Sequence, residues 1–130
     1  MKLKFGMVGG GNGAFIAKFH RQGAIMDDMA ELAAGCFSRS WEKNMQCAEE
    51  WGVRDRARVY HDFGEMARME GARADKIDFV AIATPNNTHY PAARAFLEQG
   101  IAVVCDKPLT MTIEQAEQLE QLAAEKGLPF

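Results

Sequence analysis

Along the chain, short apolar runs alternate with stretches in which apolar residues recur every three to four positions, and the alternation continues from one end to the other. The runs Leu3 to Val8, Leu32 to Phe37, Val59-Tyr60, Ile77 to Ala83 and Ile101 to Cys105 predict five strands. They lack strict alternation of apolar and polar residues, as parallel strands covered on both faces do. Between them the spacing predicts helices over Ala14 to His20, Trp41 to Trp51, Phe63 to Met69, Tyr90 to Gln99 and Ile113 to Lys126. Thr112-Ile113-Glu114-Gln115 reads as a capping box, Pro91 as a first-turn proline, and Gly100 and Gly127 as helix stops. This order predicts an α/β domain with a doubly wound parallel sheet. The right-handed crossover rule gives strand order 3-2-1-4-5, with a sixth strand reduced to a stub at Leu128-Pro129-Phe130. No repeat, linker or low-complexity tract interrupts the pattern, so residues 1–130 read as one domain.

The first strand runs into the first helix through Val8-Gly9-Gly10-Gly11-Asn12-Gly13-Ala14. Gly9, Gly11 and Ala14 fit G-x-G-x-x-A, the dinucleotide fingerprint of the Rossmann fold in its Ala-ending form. The first glycine allows a tight turn, the second lets a pyrophosphate approach the backbone, and the third site must be small for helix and strand to pack. The pyrophosphate would then lie at a helix N-terminus, where free N–H groups and the dipole favour negative charge. Asn12-Gly13 is also a hairpin signal, but Phe15, Ile16 and Phe19 repeat at helical spacing, which a hairpin strand would not. A methyltransferase glycine loop stays open as an alternative. A P-loop does not, because Gly-Lys-Ser/Thr is missing.

An NAD site usually ends its second strand in an Asp or Glu that binds the adenosine ribose. This chain has Cys36-Phe37-Ser38-Arg39-Ser40 there, and a hydroxyl beside a guanidinium suits a 2′-phosphate better than a bare diol. The expectation therefore leans from NAD toward NADP. The competing reading is that Ser38 or Ser40 caps the next helix and Arg39 is solvated.

Composition narrows the classes further. The chain has 130 residues, 48% of them hydrophobic, and 15 Lys+Arg against 18 Asp+Glu give a net charge of −3, which is no nucleic-acid footprint. No window nears the ~18 apolar residues of a bilayer span. The opening Met-Lys-Leu-Lys-Phe imitates a signal peptide's charged start, but Gly9 to Asn12 break the apolar stretch, so no export is expected. The three cysteines, with no C-x-x-C and no histidine at ligand spacing, point to a reducing cytoplasm and to no metal site. His20, His61 and His89 read as packing or capping residues.

Two further segments fall at carboxyl ends of predicted strands, where ligands bind in open α/β sheets: Ala83-Thr84-Pro85-Asn86-Asn87-Thr88-His89 and Val104-Cys105-Asp106-Lys107-Pro108-Leu109-Thr110. With the glycine turn before them, they resemble the glucose–fructose oxidoreductase / inositol 2-dehydrogenase family, Gfo/Idh/MocA, along the whole chain. The resemblance implies an NAD(P)-dependent oxidoreductase of sugars, polyols or related secondary alcohols. Gly9, Gly11, Asn12, Gly13 and Ala14 would hold the pyrophosphate, and Ser38 and Arg39 the adenosine ribose. Thr84, Pro85, Asn86 and Asp106 would border the nicotinamide half. Lys107 matches the active-site lysine, and the following Pro108 implies a cis Lys107-Pro108 bond. Asp106 departs from the more frequent Glu by one methylene.

The resemblance also implies a second, substrate-selecting domain and a homo-oligomer. Members run to several hundred residues, and this chain ends where the sixth strand would begin, so an excised N-terminal domain is expected, with a natural one-domain relative as the alternative. Such a chain should bind a dinucleotide weakly and turn over nothing. A non-catalytic dinucleotide-binding or sensing module is the other functional reading.

Overall fold

A computed structural model describes residues 1–11 and 15–130. Four parallel strands, β1 (Leu3–Val8), β2 (Ala30–Cys36), β3 (Phe79–Ile82) and β4 (Ala102–Cys105), form a sheet in the order β2-β1-β3-β4. Five helices alternate with them: α1 (Phe15–Ile25), α2 (Trp41–Glu50), α3 (Phe63–Gly71), α4 (His89–Glu98) and α5 (Ile113–Lys126). The α/β class and the Rossmann-like winding are as the sequence predicts.

Among the described residues the sheet has four strands, not five in the order 3-2-1-4-5. Val59 makes one parallel bridge to Gly35, and Tyr60 N donates to Gly35 O at 2.9 Å, so the expected third strand lies in its place outside β2 but stops at a bridge. The cause is local. A 3-10 turn ends at Arg58 and Asp62 caps α3, which leaves too few residues to pair. At the opposite edge, Val103 N donates to Pro129 O at 3.4 Å and Leu128 packs on the core, so the terminal stub lies beside β4 without forming a strand.

Each face of the sheet has its own core. Phe5, Met7 and Leu32 pack with Ala17 of α1 and Ala48 of α2, while Val80, Ile82 and Cys36 pack with Met66 of α3, Phe96 of α4 and Leu119 of α5. In β2 the inward set changes face part-way. Phe5 pairs with Leu32 but Gly6 pairs with Ala34, so Ala33 is an extra residue, and a one-residue slip sends every later side chain to the other side.

The described residues include no helix long and apolar enough to cross a membrane. Helix ends follow their signals: Thr112 accepts from Gln115 N at 3.2 Å, and Gly127 closes α5 in the left-handed region at φ 64°.

Among the described residues, a buried polar network centres on Glu70. Glu70, fully buried, accepts from Arg58 Nε at 2.9 Å, Tyr60 Oη at 2.8 Å and Ile77 N at 3.3 Å, and Arg58 also reaches Asp75 O at 3.3 Å. It ties the segment outside β2 to α3 and to the approach of β3. Glu70→Ala would leave the buried Arg58 guanidinium with only the half-exposed Asp75 carboxylate, 3.6 Å from its Nη1, and would strip Tyr60 Oη and Ile77 N of their acceptor; urea unfolding is expected to register a loss of about 3 kcal/mol.

Alkaline pH should act on the same core. Burial pushes Cys36 up to about 12 and Cys47 and Cys105 up to about 11, with nearby carboxylates adding to each. Burial, and then its bond to Glu70, also pushes Tyr60 up. These groups sit higher in the folded than in the unfolded chain, so their stabilising contribution is intact below the ordinary thiol value of 9.0 and is lost as pH rises toward 11 or 12. Urea midpoints are expected to hold steady from pH 7 to about 9 and to fall above that.

Candidate functional site

The strand register brings four loop starts to one edge of the sheet. Val8 is level with Cys36 on one side and with Ile82 on the other, and Ile82 is level with Cys105. Backbone bonds continue past these pairs. Gly9 N donates to Cys36 O and Gly11 N to Phe37 O, both at 2.8 Å, Ala83 N to Val8 O at 2.9 Å and Asp106 N to Ile82 O at 3.1 Å. The glycine turn therefore emerges between the ends of β2 and β3, where the winding reverses direction, which is the usual ligand crevice of such sheets.

Glycine is required there twice over. Gly9 and Gly10 have φ of 87° and 100°, which L side chains rarely adopt. A Cβ on Gly9 would stand 2.5 Å from Ala83 O, and one on Gly11 would stand 2.8 Å from Phe37 O. The turn is thus pressed against the backbones of both neighbours. Asn12, Gly13 and Ala14 lie outside the described residues.

A cleft of about 230 Å³ opens beside the turn. Of the residues expected from sequence, Gly9, Ser38, Arg39, Thr84 and Pro85 line it. Gly11 lies against Phe37 and Ser38, and Asn86 is exposed at the start of a 3-10 turn over Asn86–Thr88. Asp106, Lys107 and Pro108 follow β4 at the same sheet edge but do not line the cleft. Lys107 is exposed, and the Lys107-Pro108 bond is cis as expected.

The helix-capping reading of the serines has structural expression. Ser40 caps α2, accepting from Lys43 N at 3.5 Å, and Ser38 Oγ accepts from Ser40 N at 3.2 Å, so Ser38 braces the loop from inside the cleft wall. Arg39 is exposed on that wall.

Several residues of the site were not expected. Asn44, fully buried on α2, accepts from Phe37 N at 2.8 Å and donates to Tyr60 O at 2.7 Å, so it anchors the loop that carries Ser38 and Arg39. Its only sequence signal is a polar residue on the inward face of an amphipathic helix. His61, Asp62 and Phe63 form a further wall of the cleft, at the start of α3. Among the described residues Asp62 is the one carboxylate lining the cleft, and its Oδ1 accepts from Glu65 N at 2.8 Å. His20 Nε2 is buried without a hydrogen bond, 3.7 Å from Asp106 Oδ1.

The chemistry of this edge suits a dinucleotide. The first turn of α1 carries no acidic residue that would repel a pyrophosphate, and Ser38, Arg39 and Thr84 bring hydroxyl and guanidinium groups to the cleft. Comparison with known proteins agrees. The family described as GFO_IDH_MocA, "Oxidoreductase family, NAD-binding Rossmann fold", matches residues 3–130.

The chain belongs to the GFO_IDH_MocA oxidoreductase family.

Within this family, the chain is 40% identical over 126 residues to the uncharacterized oxidoreductase YfiI of Bacillus subtilis (strain 168), a match covering 96% of this chain and 32% of that protein. It is 35% identical over 72 residues to scyllo-inositol 2-dehydrogenase (NADP(+)) IolW of the same organism, covering 55% of this chain and 19% of that one. Its fold matches the crystal structure of an inositol dehydrogenase homolog complexed with NAD+ from Azotobacter vinelandii at a TM-score of 0.93 and 38% identity, covering 98% of this chain and 33% of that one. The chain thus spans about a third of the length of such relatives.

The loop geometry gives a direct check. Asn44→Ala would strand Phe37 N and Tyr60 O, each buried, at an expected cost of about 1–3 kcal/mol. Amide exchange should speed up at Phe37 while β3 and β4 keep their protection.

Proposed function

We propose that the chain is the cofactor-binding domain of an NAD(P)-dependent dehydrogenase or reductase of EC 1.1.1 type, moving hydride to or from a secondary alcohol or carbonyl of a sugar, polyol or related compound. The observation that carries this is the register itself: it delivers the glycine turn, the Ser38-Arg39 loop, the Thr84-Pro85-Asn86 loop and Asp106-Lys107-Pro108 to one edge of the sheet. The relatives described as inositol dehydrogenases support the substrate class.

The residues divide the work along that edge. Gly9, Gly11, Asn12, Gly13 and Ala14 seat the pyrophosphate where side chains are absent or small. Ser38 and Arg39 face the adenosine ribose, and Thr84, Pro85, Asn86, Asp106 and Pro108 border the nicotinamide half. The nicotinamide, when bound, is the hydride donor or acceptor. Lys107 sits at the substrate oxygen: in reduction its ammonium stabilises the negative charge that develops there and gives up a proton to it, and in oxidation the neutral amine takes the hydroxyl proton as the hydride leaves the carbon.

Cofactor choice leans to NADP, on Arg39 and on the lack of a carboxylate at the end of β2. Residues 1–130 alone bind the dinucleotide without turnover, because the substrate must be held within ~3–3.5 Å of the reacting carbon and these residues supply only one side of that pocket. A cytoplasmic setting is proposed on the three free cysteines. A homo-oligomer is proposed on the exposed Phe15, Phe19 and Val104.

Two measurements test this reading. In a longer form of the protein that carries a substrate domain, Lys107→Ala should lower NAD(P)-dependent turnover of a polyol by about 10² or more, with dinucleotide affinity unchanged. Unaltered turnover would remove Lys107 from the chemistry and revive a sensing module. In calorimetry on this chain, Arg39→Ala should weaken NADP by about tenfold or more while sparing NAD. Equal loss for both would mean that Arg39 makes no 2′-phosphate contact.

A further inference from the structure

His89 is the first residue of α4 and is 1% exposed. Its Nδ1 lies 2.7 Å from Pro108 O and its Nε2 lies 2.9 Å from Thr84 O. Both ring nitrogens therefore face carbonyl oxygens, and a carbonyl can only accept. A neutral imidazole has one N–H and one lone pair, so either tautomer would set a lone pair against an oxygen at hydrogen-bond distance. Both contacts become hydrogen bonds only when both nitrogens carry hydrogen.

The two carbonyls belong to different loops of the site. Thr84 opens the loop after β3, which is already stiff: Thr88 Oγ1 is 2.6 Å from Thr84 Oγ1 and donates to Pro85 O at 2.7 Å. Pro108 directly follows Lys107. The segment from Asp106 to Pro108 is held to the sheet by Asp106 N to Ile82 O; His20 of α1 stands 3.7 Å from Asp106 Oδ1 on one side, and the bond from His89 to Pro108 O ties the segment to α4. Among the described residues no carboxylate bonds to or pairs with the ring.

We propose that His89 is a positioning residue for Lys107, acting as an imidazolium that donates to Thr84 O and Pro108 O at once and so locks the lysine's loop to the loop bordering the nicotinamide half. Burial and the N-terminal end of a helix both oppose a cation. Two charge-assisted bonds to oxygens already aimed at the ring offset that cost, and each is stronger than a neutral one. The proposal rests on the dinucleotide reading only for what the clamp accomplishes; the clamp itself is a property of the unliganded chain.

The two parts are tested separately. Nitrogen-15 spectra of the unliganded chain near pH 7 should show both ring nitrogens of His89 bearing hydrogen, each coupled to its own proton. A pyridine-like signal from either nitrogen would overturn the imidazolium and with it the double clamp. His89→Gln, with an amide that donates from one end only, can restore one of the two bonds, and His89→Ala restores neither. Amide shifts in His89→Gln are expected to change at one loop, over 84–88 or 106–110, and in His89→Ala at both. NADPH affinity by fluorescence should fall by about threefold in the first and tenfold in the second. Equal affinities and unmoved loops in folded variants would refute the positioning role. Failure of the wild-type chain to bind NADPH would instead sink the dinucleotide reading, leaving the nitrogen-15 result to decide the clamp.

Discussion

Everything at the site depends on the close approach of one turn to two neighbouring backbones. The Gly9 to Gly11 segment passes between Ala83 and Phe37 with no room for a Cβ at either end, and its amides bond across to Cys36 and Phe37 carbonyls. Because β1 is central, this contact fixes the turn relative to β2 and β3 together. A larger residue at Gly9 would have to displace strand backbone, which a packed sheet resists far more than a side chain would. The three strand ends become a single rigid rim, and the loops that carry chemistry start from it.

The rim was legible in the sequence because it is built from local signals. A strand running into glycines, two apolar runs ending in polar motifs, and helical periodicity between them are each readable within about ten residues. What could not be read were the consequences of tertiary contact. Val59-Tyr60 has strand composition, yet the 3-10 turn before it and the Asp62 cap after it leave room for a single bridge. The extra residue at Ala33 changes which side chains of β2 reach which core, and nothing in Ala33-Ala34-Gly35 announces it, since small residues fit either face. The cleft wall at His61, Asp62 and Phe63 comes from a segment remote from every motif, so spacing could not point to it.

The electrostatics of the cleft also differ from what one strand end suggests. Cys36-Phe37-Ser38-Arg39 lacks a carboxylate, but Asp62 enters the same cleft from α3. Its Oδ1 accepts from Glu65 N, an N-cap that keeps the carboxylate turned toward its own helix. The negative charge is felt even so: after burial, Asp62 and then Glu65 help push the Cys36 thiol up. Among the described residues, the cleft that Arg39 lines is thus not uniformly positive, because a carboxylate from α3 shares it.

The buried polar side chains reveal how such loops are held. Asn44, Arg58, Glu70 and His89 are the buried polar or charged residues described. Each bonds to backbone groups of irregular chain rather than of the sheet: Phe37 N and Tyr60 O for Asn44, Asp75 O for Arg58, Ile77 N for Glu70, Thr84 O and Pro108 O for His89. The reason is physical. Strand ladders and helices satisfy their own amides and carbonyls, but chain leaving a strand end does not, and beneath neighbouring elements water cannot do it either. A side chain from an adjoining helix or loop must then supply the partner, and in doing so it sets where the loop sits. Loop position is therefore set separately from the sheet's stability: the apolar faces hold the strands together, while a few polar groups decide where Arg39 and Lys107 are carried. A substitution at Asn44 or His89 detaches a loop from a sheet that remains folded, whereas one at Gly9 moves the rim from which all the loops begin.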